Sequence, residues 1–505
     1  MRRPPRARGA RPRSAAVVGG GVGGLCTAIR LRAAGLEVDV FERNETFGGK
    51  VAVYARDGWT FDVGPSLVTW PEVLDDTLRA AGTSLAAEVR LERLASPFRY
   101  FWPDASTLAT HDDPMLTASS FDGLVPGAGD EYLRLLARAR RTWAVAERTF
   151  LAGPMSGPVS LARRLGSPRD LVDVDAARTL ARLADASFRD PRMRQWLGRY
   201  ATYSGSSPWR APATLACIVA LEADRGAWHP IGGLGALRDA LVAVARRAGV
   251  RLHAGADVAR IAVRGGRAVG VELADGTAHA ADAVVANADA AHVAADLLAG
   301  VRGVGRLRRR VRRAGRSTAG VAVVVGARGT TPRIAHHNVW FSRDSRAEFD
   351  AIGAGRLPAE PTVYACVSSR TDASQAPTGC ENWFLLANVP AGAEVDPDPS
   401  RGIVARMLDA VAEGGVELRD RAAFVDVLTP RHFADRYRAP GGAIYGTSSD
   451  GRRAAFLRPG NVGPVDGLWL VGGSSHPGGG LPLVATSARI VADLVLGRDP
   501  AAERR

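Results

Sequence analysis

Two hydrophobic periods alternate from residue 14 onward. Residues 15–18 form a short apolar run that ends in glycines. Leu25, Ala28, Ile29 and Leu31 then recur at helical spacing, and Val38 and Val40 alternate with polar residues up to Glu42. Strand, glycine turn, helix and strand in that order predict the opening of a parallel α/β unit. Residues 58–68 (GWTFDVGPSLV) read as extended, with a turn at Gly64-Pro65, and Pro71 suits the first turn of a helix. Residues 98–110 predict a hairpin around Pro103-Asp104. The spacing over 129–225 is largely helical, with loops at 153–158 and 205–212, and another helix is expected over 234–248. The period then shortens to two. Residues 251–287 predict an antiparallel meander with a hairpin signal at Asp275-Gly276. Further strands are expected at 317–325, 362–369 and 382–389, and a last one at 467–471 before a glycine-rich loop and a helix over 482–496.

Composition narrows the class. The chain has 505 residues, 46% of them hydrophobic and 23% charged, which excludes collagen-like, mucin-like and disordered proteins. Its four cysteines, Cys26, Cys217, Cys366 and Cys380, are scattered without a C-x-x-C pair, so structural zinc, redox pairs and a disulfide framework are not expected, and no metal site is assigned. The net charge is +14, and Lys50 is the only lysine. Arginines cluster in the N-terminal MRRPPRARGARPR and at 306–316 (RLRRRVRRAGR). Two readings fit them: a disordered tail plus a solvated helix face, or contact with an anionic membrane surface. No aromatic interleaving or nucleic-acid motif accompanies them, so nucleic acid is not expected as a partner. The apolar stretch 14–29 contains five glycines and runs into Arg30 and Arg32, unlike a signal peptide. No run of apolar residues reaches membrane-spanning length. A cytoplasmic protein, peripheral on the inner face of the cell membrane, is the expectation.

Gly19-x-Gly21-x-x-Gly24 lies where a dinucleotide fingerprint requires, after a strand and opening a helix. Gly19 would permit the tight turn, Gly21 the approach of a pyrophosphate, and Gly24 close helix–strand packing. The helix N-terminus would stabilise the phosphate charge. Glu42 ends the next strand and would accept hydrogen bonds from a ribose. Two further features favour FAD over NAD as the cofactor. Gly48-Gly49-Lys50 places a second glycine turn near the first, and GLWLVGGSSHPGGGLP at 467–482 gives a buried strand, an unencumbered loop and a helix start. A helix N-terminus there would stabilise negative charge on a reduced flavin.

These segments resemble the phytoene desaturase family of FAD-dependent carotenoid desaturases. VVGGGVGGLCTAIRLRAAGLEVDVFERNETFGGKV, FDVGPSLV and GLWLVGGSSHPGGGLPLVATSARIVADLVL carry the likeness, together with RYATYSGSSPWRAPATLACIVALEADRGAWHPIGGLGALRDAL and ADAVVANAD in the middle. GGAIYGTSSDGRRAAFLRPGN is similar to the subgroup of carotenoid 3,4-desaturases. The resemblance implies FAD contacts at Gly19, Gly21, Gly24, Glu42, Gly49 and Lys50, around Gly64 and Pro65, at Val258 beside the adenine, and at Gly472, Gly473, Leu481 and Pro482. The expected fold is α/β: a Rossmann-like FAD-binding domain assembled from separated segments, with an inserted mixed α+β substrate domain. Its boundaries are a basic tail at 1–14, FAD-domain segments at 15–95, 231–300 and 441–505, and substrate-domain segments at 96–230 and 301–440.

Desaturation removes two hydrogens from adjacent carbons. Hydride loss to flavin would leave a polyene cation so acidic that positioning matters more than a strong base. The implied substrate is a lipophilic carotenoid, with oxygen or a quinone open as the final electron acceptor. His476 is a weak catalytic candidate on the flavin-side loop, with a structural role as the alternative. Glu222 and His229 are expected to be surface or capping residues. Trp196, Tyr200, Tyr203 and Trp209 are candidates for an apolar tunnel, against the alternative of ordinary core. Any amphipathic docking element is expected within 129–225. Competing readings are another flavin oxidoreductase of the superfamily (a carotenoid oxygenase, saturase or amine oxidase) and a non-enzymatic prenyl-binding escort protein.

Overall fold

Strands from both ends and the middle of the chain meet in one parallel sheet. The computed structural model describes residues 11–155, 157, 162–451 and 454–501. Its five-stranded sheet runs in the order Arg251–His253, Glu37–Phe41, Ser14–Val18, Ala283–Ala286, Leu468–Leu470, with every neighbouring pair parallel. A parallel sheet must be covered on both faces, which is why its central strands read as unbroken apolar runs, AAVV and AVVA. One face packs on the helices Val22–Ala33, Gly233–Arg247 and Leu481–Val495, through residues such as Leu25, Ile29, Leu241 and Val491. The other meets a three-stranded antiparallel meander, Val258–Arg264, Arg267–Leu273 and Ala278–Ala280, through Val258, Ile261 and Val271.

The meander expected over 251–287 is therefore shorter than its sequence pattern. Its first and last strands, Arg251–His253 and Ala283–Ala286, pair in parallel within the main sheet. Short apolar strands of either kind share the same period, and only the distant partners distinguish them. The basic tail expected at 1–14 lies outside the described residues through residue 10. Ser14 already belongs to the first strand, and the backbone N–H groups of Arg13 and Ser14 donate to Asp282 Oδ2 at 2.8 and 3.2 Å.

A seven-stranded sheet forms the second layer, in the order Ala422–Leu428, Ala319–Arg328, Cys380–Val389, Val363–Cys366, His337–Trp340, Phe98–Phe101, Thr107–Ala109. The hairpin expected over 98–110 is its edge. One face packs on the helix Gly402–Glu413 through Ile403, Val404 and Met407. Phe98, Tyr100 and Val339, on the opposite face, join a helical block that includes Ala128–Thr149, Leu180–Ser187 and Pro191–Gly198.

Candidate active site

The first strand ends at Val18, and at Gly19, which follows, φ is +94°, a conformation that strongly favours glycine. A Cβ on Gly24 would stand 2.1 Å from the Gly19 carbonyl oxygen, so the bare helix face presses directly on the turn. Asn287, just past the strand Ala283–Ala286, donates from Nδ2 to that same oxygen at 3.1 Å. Its Oδ1 would lie 2.6 Å from a Cβ on Gly472 and 2.7 Å from one on Gly23. One amide thus holds three backbone segments at contact distance. Glu42 is buried. Its Oε2 accepts from the Gly20 N–H at 2.9 Å, and its Oε1 accepts from Asn44 N and Nδ2 at 3.0 and 2.6 Å. The second glycine turn docks on the first, with Gly48 N donating to Gly20 O at 2.8 Å. A Cβ on Gly64 would fall 1.7 Å from Lys50 O, and Lys50 Nζ donates to Ile444 O at 2.7 Å. Burial pulls the Lys50 ammonium below its usual pKa, opposed by the Asp289 carboxylate.

These groups surround a cavity of about 720 Å³. Gly19, Gly21, Glu42, Gly49, Lys50, Gly64, Pro65, Val258, Gly472, Gly473, Leu481 and Pro482 all line it, while Gly24 lies beneath the turn. His476 lies off this wall. Its Nε2 is 3.0 Å from Phe150 O and 3.1 Å from Gly153 O, and burial pushes its pKa down to about 3. These contacts support the structural alternative for His476, an anchor between the C-terminal loop and the helical block.

Glu222 and His229 also depart from expectation, because both face inward. Glu222 accepts from Tyr200 Oη at 2.7 Å and Tyr203 Oη at 2.5 Å, and burial raises its pKa. His229 is buried, and desolvation lowers its pKa to about 4. Of the four aromatic tunnel candidates, only Tyr203 lines the cavity. Trp196 and Tyr200 are core, and Trp209 packs against Phe349.

Some cavity residues carry no motif that would reveal them. Arg199 is buried with its guanidinium carbon 4.6 Å from the Phe98 ring centroid and 5.3 Å from that of Tyr203, and it donates to Tyr100 Oη at 3.2 Å. Arg458 donates to Gly473 O at 2.8 Å and Thr447 O at 3.0 Å, with burial pulling its pKa down to about 10. Arg438 makes two hydrogen bonds to Asp257, at 2.7 and 2.6 Å, on the wall near Val258.

The cradle fits a dinucleotide carrying a flavin. Its floor at Gly19, Gly64 and Gly472 is bare backbone packed so closely on Asn287 and Lys50 that a Cβ would clash there, and the helix Leu481–Val495 opens on the wall at Leu481 and Pro482. A family model described as flavin-containing amine oxidoreductase matches residues 22–496. The chain belongs to that family. It is an oxidoreductase, its cofactor is FAD, and the flavin supplies the two-electron acceptor when bound. The protein is 36% identical over 487 residues to a hydroxyneurosporene desaturase of Cereibacter sphaeroides, covering 95% of this chain and 97% of the relative. It is 30% identical over 491 residues to a 4,4'-diapolycopene oxygenase of a Methylomonas species, covering 95% and 97% respectively. Among solved structures, an oxidoreductase from Methanosarcina mazei superposes with a TM-score of 0.64 at 18% identity, covering 95% of this chain and all of that one, a likeness of fold. Among the described residues, no helix of this flavoprotein is long and apolar enough to cross a membrane.

Proposed function

We propose that this flavoprotein desaturates a carotenoid at or near a hydroxylated end group. The observation that carries this reading is the continuity of the cavity. From the dinucleotide cradle it runs into a wall of Leu67, Trp70, Trp143, Leu215 and Ile218 and reaches Val174 and Ala176. Such a chamber suits a long apolar substrate, held with one C–C bond against the flavin. The 36% identity to a hydroxyneurosporene desaturase supports the end-group choice. The residues 19–24, 42–50 and 472–482 would hold FAD, and the apolar wall would orient the polyene and exclude water. The final electron acceptor, oxygen or a membrane quinone, lies outside the cavity chemistry.

A substrate this insoluble in water would be met at a bilayer, which supports a peripheral position, on the inner face of the cell membrane. Leu171 and Val172, 63% and 67% exposed, sit on the helix Pro168–Val174 beside the cavity-lining Val174. Met115 and Leu116 are also exposed, on Pro114–Leu124, and both helices pack on Ala128–Thr149. These side chains would enter the interface, and the arginine-rich helix Gly305–Ala314 would add attraction to anionic lipids.

A second reading, end-group oxygenation, is favoured by the 30% identity to a diapolycopene oxygenase. The deciding experiment is co-expression in bacteria that accumulate phytoene, neurosporene, lycopene or 1-hydroxylated carotenoids, with chromatography and absorbance spectra of the pigments. A red-shifted product of unchanged oxygen content, confined to the hydroxylated strains, is expected. A product carrying new oxygen would replace desaturation by oxygenation. A flavin-loaded protein that changes no pigment would remove the carotenoid reading.

A further inference from the structure

Desaturation releases a proton as well as a hydride, and that proton needs an acceptor at the chamber wall. Ser66 and Tyr364 both line the cavity, with their hydroxyl oxygens 2.5 Å apart. Tyr364 Oη lies 2.8 Å from His337 Nδ1. Sheet register explains the chain. His337 pairs with Cys366 and Val339 with Tyr364, so all four project from one face, toward the cavity side where Phe98 also stands. Behind His337 the polar groups continue inward. The rings of His337 and His336 have centroids 4.5 Å apart, those of His336 and His229 are 4.7 Å apart, and His229 Nε2 lies 3.8 Å from Asp372 Oδ2. All three imidazoles are buried. The Nε2 atoms of His336 and His337 and both nitrogens of His229 have no hydrogen-bond partner among the described residues.

We propose that Tyr364 and His337, with Ser66 holding the Tyr364 hydroxyl, form the acceptor for the substrate proton. The proposal rests on the desaturase reading above. The flavin supplies the hydride acceptor, and this chain handles the proton. The C–H bond beside the cationic carbon breaks and its electron pair becomes the new C=C bond. Its proton passes to Tyr364 Oη while Tyr364 delivers its own proton to His337 Nδ1. This requires the Nε2–H tautomer of His337, with Tyr364 donating to Nδ1 and Ser66 donating to Tyr364. The groups facing His337 set its strength as an acceptor. Desolvation and then the Arg199 charge hold its pKa well below the ordinary value, and desolvation and neighbouring histidines do the same at His336. At His229, Asp372 opposes the depression. Tyr364 and Cys366, the latter beside Asp62, are the remaining titratable neighbours, and burial keeps both protonated. A proton arriving at His337 is thus opposed by burial and by the Arg199 charge. An acceptor this weak suffices because the polyene cation is so acidic.

The test uses the full-length FAD-loaded enzyme and the carotenoid it converts in the co-expression experiment, deuterated either at the carbon losing hydride or at the carbon losing the proton. For Tyr364→Phe, kcat is expected to fall about 100-fold or more, with KM little changed and flavin content and Tm preserved. Deuterium at the proton-losing carbon should slow this variant but not the wild type, because proton loss becomes rate-limiting. If the Phe variant loses flavin, His337→Gln, whose side chain does not line the cavity, is expected to show the same new isotope effect. Wild-type kinetics in these variants, or slow turnover without the new isotope effect, would overturn the relay. So would stoichiometric zinc or copper in the purified protein, bound through His336, His337 and Cys366, whose ligand atoms lie within 4.8 Å of one another. A wild type that forms no desaturated product would instead defeat the function itself, and the relay with it.

Discussion

The Nδ2 of Asn287 donates to the carbonyl of Gly19 at 3.1 Å, joining residues 268 positions apart in the chain. The same amide's Oδ1 sits where side chains on Gly23 or Gly472 would have to be. Asn287 therefore sets the spacing between the N-terminal turn, the strand Ala283–Ala286 and the C-terminal loop. Asn287→Leu should leave the Gly19 carbonyl without its donor and crowd Gly472. A lost buried hydrogen bond of this kind costs about 1–3 kcal/mol. The expected result is a variant that folds but retains FAD at least about 10-fold more weakly, read from flavin absorbance per protein after gel filtration.

Glu42 tests the other side of the cradle. Its carboxylate holds the Gly20 N–H through one oxygen and Asn44 through the other, within a buried wall. Glu42→Gln keeps one acceptor oxygen and replaces the second with a donor that meets the Asn44 N–H head-on. Charge-assisted hydrogen bonds contribute about 1.5–3 kcal/mol. Flavin dissociation, followed by fluorescence as FAD is released, should be faster by one to two orders of magnitude. Glu42→Asp, a methylene shorter, should fall between the variant and the wild type.

The parts of this site that were legible in the sequence are those where backbone geometry dictates residue type over a short stretch. Gly19, Gly21, Gly49, Gly472 and Gly473 announce a cradle because a Cβ at each would crowd the neighbouring backbone or Asn287, and all five line the cavity. Residues assembled from distant segments carried no such signal. Ser66, Tyr364 and His337 are unremarkable until the register of His337–Trp340 on Val363–Cys366 sets two of them side by side. Glu222 read as a surface residue because an isolated carboxylate is costly to bury. Two tyrosine hydroxyls, from residues 19 and 22 positions upstream, offset that cost. Tyr200 and Tyr203 lie three residues apart on one short helical segment, yet only Tyr203 meets the cavity, a distinction that packing alone makes.

Leu171 and Val172 offer a test of the membrane reading. Both are exposed on a helix that ends at the cavity-lining Val174. Replacing them with Asp in Leu171→Asp/Val172→Asp removes apolar area from the proposed insertion face and adds charges that anionic lipids repel. Binding to anionic vesicles should fall by about 10-fold or more, since burying each side chain contributes roughly 1.5–3 kcal/mol. Flavin content and Tm should be unchanged, because neither side chain is in the core. Cosedimentation equal to that of wild type would locate the docking face elsewhere.

His476 makes a prediction about acid stability. Its Nε2 is bonded to the carbonyls of Phe150 and Gly153, and burial lowers its pKa from 6.5 to about 3. As the pH falls below 6.5, the unfolded chain takes up a proton at this position while the folded chain does not, until the pH nears 3. The stability contributed by the neutral imidazole is thus fully present above 6.5 and is lost on acidification, at about 1.4 kcal/mol per pH unit for one proton. His476→Gln can still donate to one of the carbonyls but does not titrate. At pH 8 the variant should melt at or below the wild-type temperature. The difference should shrink steadily between pH 6 and pH 4 as the wild type alone loses stability. Thermal melts of both proteins across that interval, followed by circular dichroism, measure it. Parallel Tm curves for the two proteins would show that residue 476 does not titrate on unfolding, and that acid sensitivity in this range comes from other buried groups.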